Sequence, residues 1–332
     1  MPSENQKPID AVWRPVRDLA SECRTWTHAF AREASRRWAN MRRQLENPDI
    51  DRSLMDVWLK EQKRAFAIET GQLEDLYRLP QGITENLITE GFESVLGAHS
   101  VTDIDDATLK GLLTDQESAL EMVFAAVKNE RPLSNHVIKE WHALMTRHQE
   151  TAAGIDPFAN RVQMPLRYGE YKIRPNNPRR PDGVVHEYCP PEQVQSEMDR
   201  FLEFHHVHGD LELAPEVEAA WLHHEFVRVH PFQDGNGRVS RLLMAYPYIK
   251  AGEFPPIIHA DNKPAYLDAL HLADRGDLRS LVDFLGGLAA VRCDAAALRA
   301  ERILAGDHVM LHANGGVTNN GIYYPPEPSP GK

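Results

Sequence analysis

Apolar residues fall near helical spacing over most of the chain. Leu54, Trp58, Phe66, Ile68, Leu73 and Tyr77 trace one face of a helix that Gly71 would interrupt. Ala107 to His148 carries two more helical patterns, separated at Pro132, with Ser134 placed to cap the second. The pattern then changes. From Thr151 to Pro191 turn formers crowd together, and two extended segments, Val162–Leu166 and Glu170–Arg174, flank Tyr168-Gly169 as a hairpin would. Helical spacing resumes over Glu192–Phe204 and again after Pro215, a first-turn proline, and continues with interruptions to about Leu304. The expected fold class is therefore all-α with one β-hairpin. Expected divisions are an N-terminal helical region at 1–60, a second helical region at 61–130, a core at 131–290, a C-terminal helix at 291–305 and a flexible tail at 306–332.

The 332 residues carry 37 basic and 49 acidic side chains, a formal charge of −12, which opposes general attraction to nucleic acid or an anionic membrane. The cluster Arg32, Arg36, Arg37, Arg42 and Arg43 accordingly reads as a solvated helix flank. No apolar run approaches the roughly 20 residues that cross a bilayer. The polar start, Met1 to Ile9, lacks a signal-peptide core. Cys23, Cys189 and Cys293 are scattered, which suits a reducing compartment and leads us to expect a cytoplasmic protein.

The candidate chemistry is concentrated in His230-Pro231-Phe232-Gln233-Asp234-Gly235-Asn236-Gly237-Arg238-Val239-Ser240-Arg241. Val217, Ala220, Trp221, His224 and Val227 lead into it as a helical stripe, which Pro231 stops. A second helix restarts at Arg238. This loop-to-helix junction offers backbone N–H groups to an anion, and Gly235 and Gly237 remove Cβ obstruction. Arg238 and Arg241 lie three apart on one helical face, suited to phosphate oxygens. Asp234 supplies one carboxylate, which together with phosphates is enough for Mg²⁺. His230 can accept a proton near neutrality. A base, a carboxylate and two arginines around an anion cradle describe phosphate-chain chemistry.

This run resembles, without mismatch, the signature HPFx[DE]GN[GK]RxxR of the Fic family. The looser likeness extends from about Glu69 to Leu288, and Pro190-Pro191-Glu192 with its helix resembles the segment that follows the family's target-docking flap. The resemblance implies a Fic-type helical bundle with a β-hairpin flap near the active site. It implies an ATP-using, Mg²⁺-dependent protein adenylyltransferase that moves AMP to a Tyr, Thr or Ser hydroxyl of a target protein. On that mapping His230 is the base, Asp234 holds the metal, and Gly235, Asn236, Gly237, Arg238 and Arg241 bind the nucleotide with Tyr266 near the nucleoside. Gly169, Glu170, Tyr171 and Lys172 are the candidate flap, an edge onto which a target strand could add. No nucleic-acid or membrane partner is expected, and a homodimer is left open. Relatives that remove AMP, or use another nucleotide donor, supply the alternative readings.

Many family members carry a helix with [ST]xxxE[GN], whose glutamate pairs with the second arginine and restrains the enzyme. Ala65-Phe66-Ala67-Ile68-Glu69-Thr70-Gly71 resembles it with departures at both variable ends, and Asn86-Leu87-Ile88-Thr89-Glu90-Gly91 offers a second frame. Glu69 acting on Arg241 is the expectation. A zinc-hydrolase reading fails, because after His224-Glu225 the next histidine comes six residues on, at His230, and not four. His205, His206, His208 and His186 read as surface residues.

Overall fold

A computed structural model describes residue 8 and residues 11–95, 104–155, 161–180 and 183–306. The expected tail at 306–332 lies outside these, apart from Gly306. Eleven α-helices, three short 3-10 turns and one two-stranded sheet make up the regular structure among the described residues. The helices are α1 (Ala29–Leu45), α2 (Ser53–Leu73), α3 (Gln81–Glu90), α4 (Phe92–Val95), α5 (Asp106–Lys128), α6 (Asn135–Met145), α7 (Val194–His208), α8 (Pro215–Val229), α9 (Asn236–Lys250), α10 (Lys263–Asp274) and α11 (Arg279–Leu304). No helix among the described residues is long and apolar enough to cross a membrane.

Helix starts follow local chemistry. Ser134 accepts the Val137 N–H at the start of α6, Asp105 accepts the Thr108 N–H at the start of α5, and Pro215 occupies the first turn of α8. Gly71 does not break α2. The helix runs through it, and the missing side chain makes room for Tyr77, whose hydroxyl would lie 2.1 Å from a Cβ placed there. That hydroxyl donates to the carbonyls of Ala67 and Ile68, folding the chain back along the helix end.

The main core wraps α9, which is buried on every side through Val239, Leu242, Leu243, Met244 and Ala245. Around it stand α5, α6, α8 and the end of α2. A second apolar cluster joins α1 and α11 to the start of α2 through Trp38, Trp58 and Phe254. In α1, Arg37 reaches acids of α11 and Arg42 donates to the Gly252 carbonyl, so this arginine-rich flank docks the chain's own elements.

An extended N-terminal segment crosses α7 and α8. Glu197 accepts the Val16 N–H at 2.8 Å, and the Trp221 indole and the Arg228 guanidinium each donate to carbonyls of the segment at 2.9 Å. His208, expected at the surface, is buried here and bonds both Glu218 and Asp18 at 2.8 Å.

The sheet corrects the expected hairpin. Strand β2 (Arg161–Pro165) falls where Val162–Leu166 was expected, but its partner is β1 (Thr151–Ile155), in antiparallel register from Thr151 opposite Pro165 to Ile155 opposite Arg161. Tyr168-Gly169 lies beyond the hairpin. Gly169 has φ +67° and donates its N–H to the His142 ring, which ties this turn to α6 and leaves Glu170–Arg174 without a strand partner among the described residues.

Candidate active site

Helix α8 ends at His230, whose backbone is left-handed (φ 49°, ψ 56°) while its N–H still bonds the Phe226 carbonyl. This unusual conformation for a side-chain-bearing residue turns the imidazole away from the helix. Nδ1 donates to the Val227 carbonyl at 3.1 Å, leaving Nε2 as the ring's lone-pair nitrogen. Tyr188 stacks on the ring at 3.7 Å and 4°, fixing its plane. Burial, followed by the nearby Lys172 charge, pulls the His230 pKa down to about 3, so the ring is neutral at physiological pH.

The loop is braced from within and from outside. Asn236 accepts the Phe232 N–H at 2.9 Å and returns a bond to the Phe232 carbonyl at 2.8 Å. Its buried side chain therefore closes the loop. Phe232 is fully buried and stacks on His142 at 3.8 Å. The ring of His142 accepts the Gly169 N–H at Nδ1, so Nε2 carries the proton and donates to the Asp234 carbonyl at 3.0 Å. Burial holds this histidine neutral as well, at about 3. Asn176 adds a bond to the Phe232 carbonyl, and Lys172 donates its N–H to the Pro231 carbonyl.

At the start of α9 the backbone turns through Gly235, at φ +78°. Asp234 is 39% exposed at the loop mouth, with one oxygen accepting the Gly235 N–H and the other the Gln149 amide. Gln149 in turn accepts from Arg238 at 2.5 Å, linking the carboxylate to the guanidinium. Arg238 is buried, yet its Nε and Nη1 have no hydrogen-bond partner, an expensive arrangement that an anion would relieve. Arg241, also buried, is paired with Glu74 at 2.7 Å and bonds the Thr70 carbonyl at 3.2 Å. The Glu74 carboxylate lies across Gly237, where a Cβ would sit only 2.3 Å from Oε1. Burial raises the Glu74 pKa, but Arg241 and then Arg238 outweigh it, and the net shift is downward.

Three expected placements are corrected. Glu69 does not pair with Arg241. Its carboxylate bonds His259 Nδ1 and the Ala260 N–H, each at 3.1 Å, because it points from the previous turn of α2 toward a 3-10 turn at Ala260–Asn262. Glu90 is exposed at the end of α3. Gly169–Lys172 is no free edge, since Gly169 is pinned to His142 and the Lys172 side chain is buried with its Nζ on Asn176 at 2.8 Å. Beside His230 the chain instead brings Arg179 and Val185 together in an antiparallel bridge, and Tyr188 stacks on the imidazole. Tyr266 lies buried near the second arginine and bonds His223 at 2.7 Å.

Residue-by-residue reading missed His142, Gln149, Tyr188 and Glu74. For Glu74 a signal existed. Thr70-Gly71-Gln72-Leu73-Glu74-Asp75 is a third frame of [ST]xxxE[GN], with Asp in the last place. That last residue has φ 53°, which explains the preference: glycine and asparagine tolerate left-handed backbone best, and aspartate comes close.

With this geometry in place, likenesses to known proteins can be set beside it. Residues 132–248 match the Fic/DOC family. The protein adenylyltransferase Fic of Aedes aegypti is 45% identical over 71 residues, covering 21% of this chain and 14% of that protein. The protein adenylyltransferase fic-1 of Caenorhabditis elegans is 35% identical over 95 residues, covering 29% and 19%. The chain thus spans less than a fifth of the length of these curated relatives. Among solved structures, a Fic-domain signaling protein from Bacteroides thetaiotaomicron superimposes with a TM-score of 0.63 at 23% identity, covering 84% of this chain and 98% of that one. At that identity the likeness establishes the fold.

Proposed function

We propose that this chain transfers AMP from ATP to a hydroxyl of a target protein and that Glu74 restrains the reaction. One observation carries the reading: a carboxylate of the chain itself already lies in the cradle over Gly237, paired with a buried arginine, where a phosphate would bind. A site that needs an internal anion to neutralise its arginines is built for an external one.

His230 Nε2 takes the proton of the acceptor hydroxyl as that oxygen attacks the α-phosphorus and pyrophosphate leaves. The Nδ1 bond to Val227 and the Tyr188 stack hold the ring in the orientation this requires. Arg238 and Arg241 orient the phosphates, and N–H groups at Gly235 to Gly237 receive charge developing on the α-phosphate. Asp234 fits a magnesium ion shared with phosphates: it is half exposed at the mouth, and the described residues contain no cluster of three or more ligands that would hold a metal unaided. When bound, such an ion would neutralise phosphate charge. The bridged residues Arg179 and Val185, close in sequence to Tyr188, offer backbone on which a target strand would add beside His230.

The test is labelling by α-phosphate-labelled ATP with Mg²⁺ and a cell lysate. Wild type should label weakly, Glu74→Gly strongly, and Glu74→Gly/His230→Ala not at all. Equal labelling with and without His230 would remove the mechanism.

A further inference from the structure

Away from the motif, α2, α5 and α11 border a partly open cavity of about 210 Å³. Leu59 and Phe66 of α2 face Leu120 of α5 across it, and Phe254 and Ile257 close a third side. Three polar side chains interrupt these apolar walls. Arg292 of α11 lines the cavity with Nε and Nη2 buried and without hydrogen-bond partners, and Gln62 Oε1 is buried and unpartnered too. The other lining cation, Lys63, is satisfied by Glu121 at 3.2 Å. Burial lowers the Arg292 pKa to about 10, which still leaves it charged at neutrality.

Guanidinium nitrogens buried without a hydrogen-bond partner are costly, and retaining two at the wall of an apolar pocket calls for an anion with an apolar body. The walls would desolvate a free phosphate or a nucleotide without compensation. Size narrows the class further: an apolar cavity of about 150 Å³ accommodates benzene, so this one has room for a six-membered ring and a short acidic arm. We infer that the cavity binds a small monocarboxylate with an apolar body of about six to eight carbons, its carboxylate on Arg292. The helix that forms one wall also ends in Glu74. Phe66 stands eight residues before it, about 12 Å along the axis. Ile257 lies two residues before His259, which holds Glu69. A change in α2 on binding would therefore reach the Arg241 contact, a consequence that rests on the restraining role read for Glu74.

Phenylacetate is a suitable probe for the full chain, with benzyl alcohol and acetate as controls lacking the charge or the ring. Calorimetry should show saturable one-to-one binding of phenylacetate, and thermal unfolding should shift upward with its concentration. Arg292→Met keeps the stem and should weaken phenylacetate about tenfold or more while leaving benzyl alcohol unaffected. On wild type, a photoreactive phenylacetate should label peptides containing residues 59–66 or 254–257. No saturable binding at millimolar phenylacetate, equal binding by Arg292→Met, or labelling confined elsewhere would overturn the site. Saturating phenylacetate should change ATP labelling by wild type and not by Glu74→Gly. Binding without that change overturns the coupling alone, whereas Glu74→Gly without raised labelling overturns the restraint and leaves the binding result standing.

Discussion

The motif loop and the last turn of α2 meet at Arg241, but they are held in different ways. The loop is cross-tied by its own side chains: Asn236 bonds both polar groups of Phe232, Asp234 caps Gly235, and Asn176 and His142 brace it from outside. The end of α2 reaches the site through one carboxylate and one carbonyl, Glu74 and Thr70, both on Arg241. Beyond them Asp75 already points to solvent, tied only to exposed Lys263 and Arg78. One region has its geometry over-determined, as proton transfer and phosphate positioning require. The other depends on a single ion pair that a competing anion can replace. On the proposed function, rigidity sits where the chemistry would happen and exchangeability where control would act.

Removing the base breaks that contrast most severely. His230→Ala in a Glu74→Gly background should lower ATP labelling by about 10²–10⁴-fold, the span of general-base contributions. Next comes the exchangeable contact itself. Glu74→Gly should raise labelling by roughly 5- to 150-fold, the range of couplings between sites, whereas Glu69→Gly should leave it near wild type. Equal stimulation by both would erase the distinction between the two glutamates.

A smaller effect belongs to the external brace. His142→Ala deletes a stacked ring and two hydrogen bonds, so denaturant unfolding should show a loss of about 1–3 kcal/mol. Labelling by the Glu74→Gly background should fall with it, since Asp234 and Gly169 both lose an anchor. The mildest test concerns the N-terminal segment. His208 bonds a carboxylate oxygen through each ring nitrogen, which only the imidazolium can do. Burial lowers its pKa, but the bonds to Glu218 and Asp18 outweigh this and the net shift is upward. Its contribution to stability is therefore complete below the unfolded value near 6.5 and is lost as pH rises through the folded value. A melting profile across that interval should slope downward with pH in wild type and flatten in His208→Gln.

How much of this was readable in the chain follows the same division. Helices with strong periodicity and side-chain caps, such as the one begun by Ser134, were legible because their signals are local. So was the grouping of His230, Asp234, Arg238 and Arg241 at one candidate site, since they share twelve consecutive positions. The hairpin was misplaced because β2 has extended sequence on both sides, and only pairing across the intervening loop selects β1. Glu69 and Glu74 lie five residues apart, and the frame around Glu74 departs from the pattern at one place where the frame around Glu69 departs at two. What separates them is where α2 stops, set by Tyr77 folding back over Gly71 and by the left-handed backbone at Asp75. His142 carried no signal at all, because its value lies in joining three segments distant in sequence.

That stopping point makes α2 a phase-sensitive device. Each added or deleted residue turns the end of a helix by about 100° and moves it 1.5 Å along the axis. With its first turns fixed in the Trp38–Trp58 cluster, the 21-residue helix delivers Glu74 to Arg241 only at its present length. Inserting one alanine between Trp58 and Phe66 would swing the carboxylate to another side while every residue of the catalytic loop stayed unchanged. Seven insertions, nearly two full turns, would restore the angle but overshoot the distance. The length of a helix, rather than the identity of any residue in it, would then determine whether the site is open.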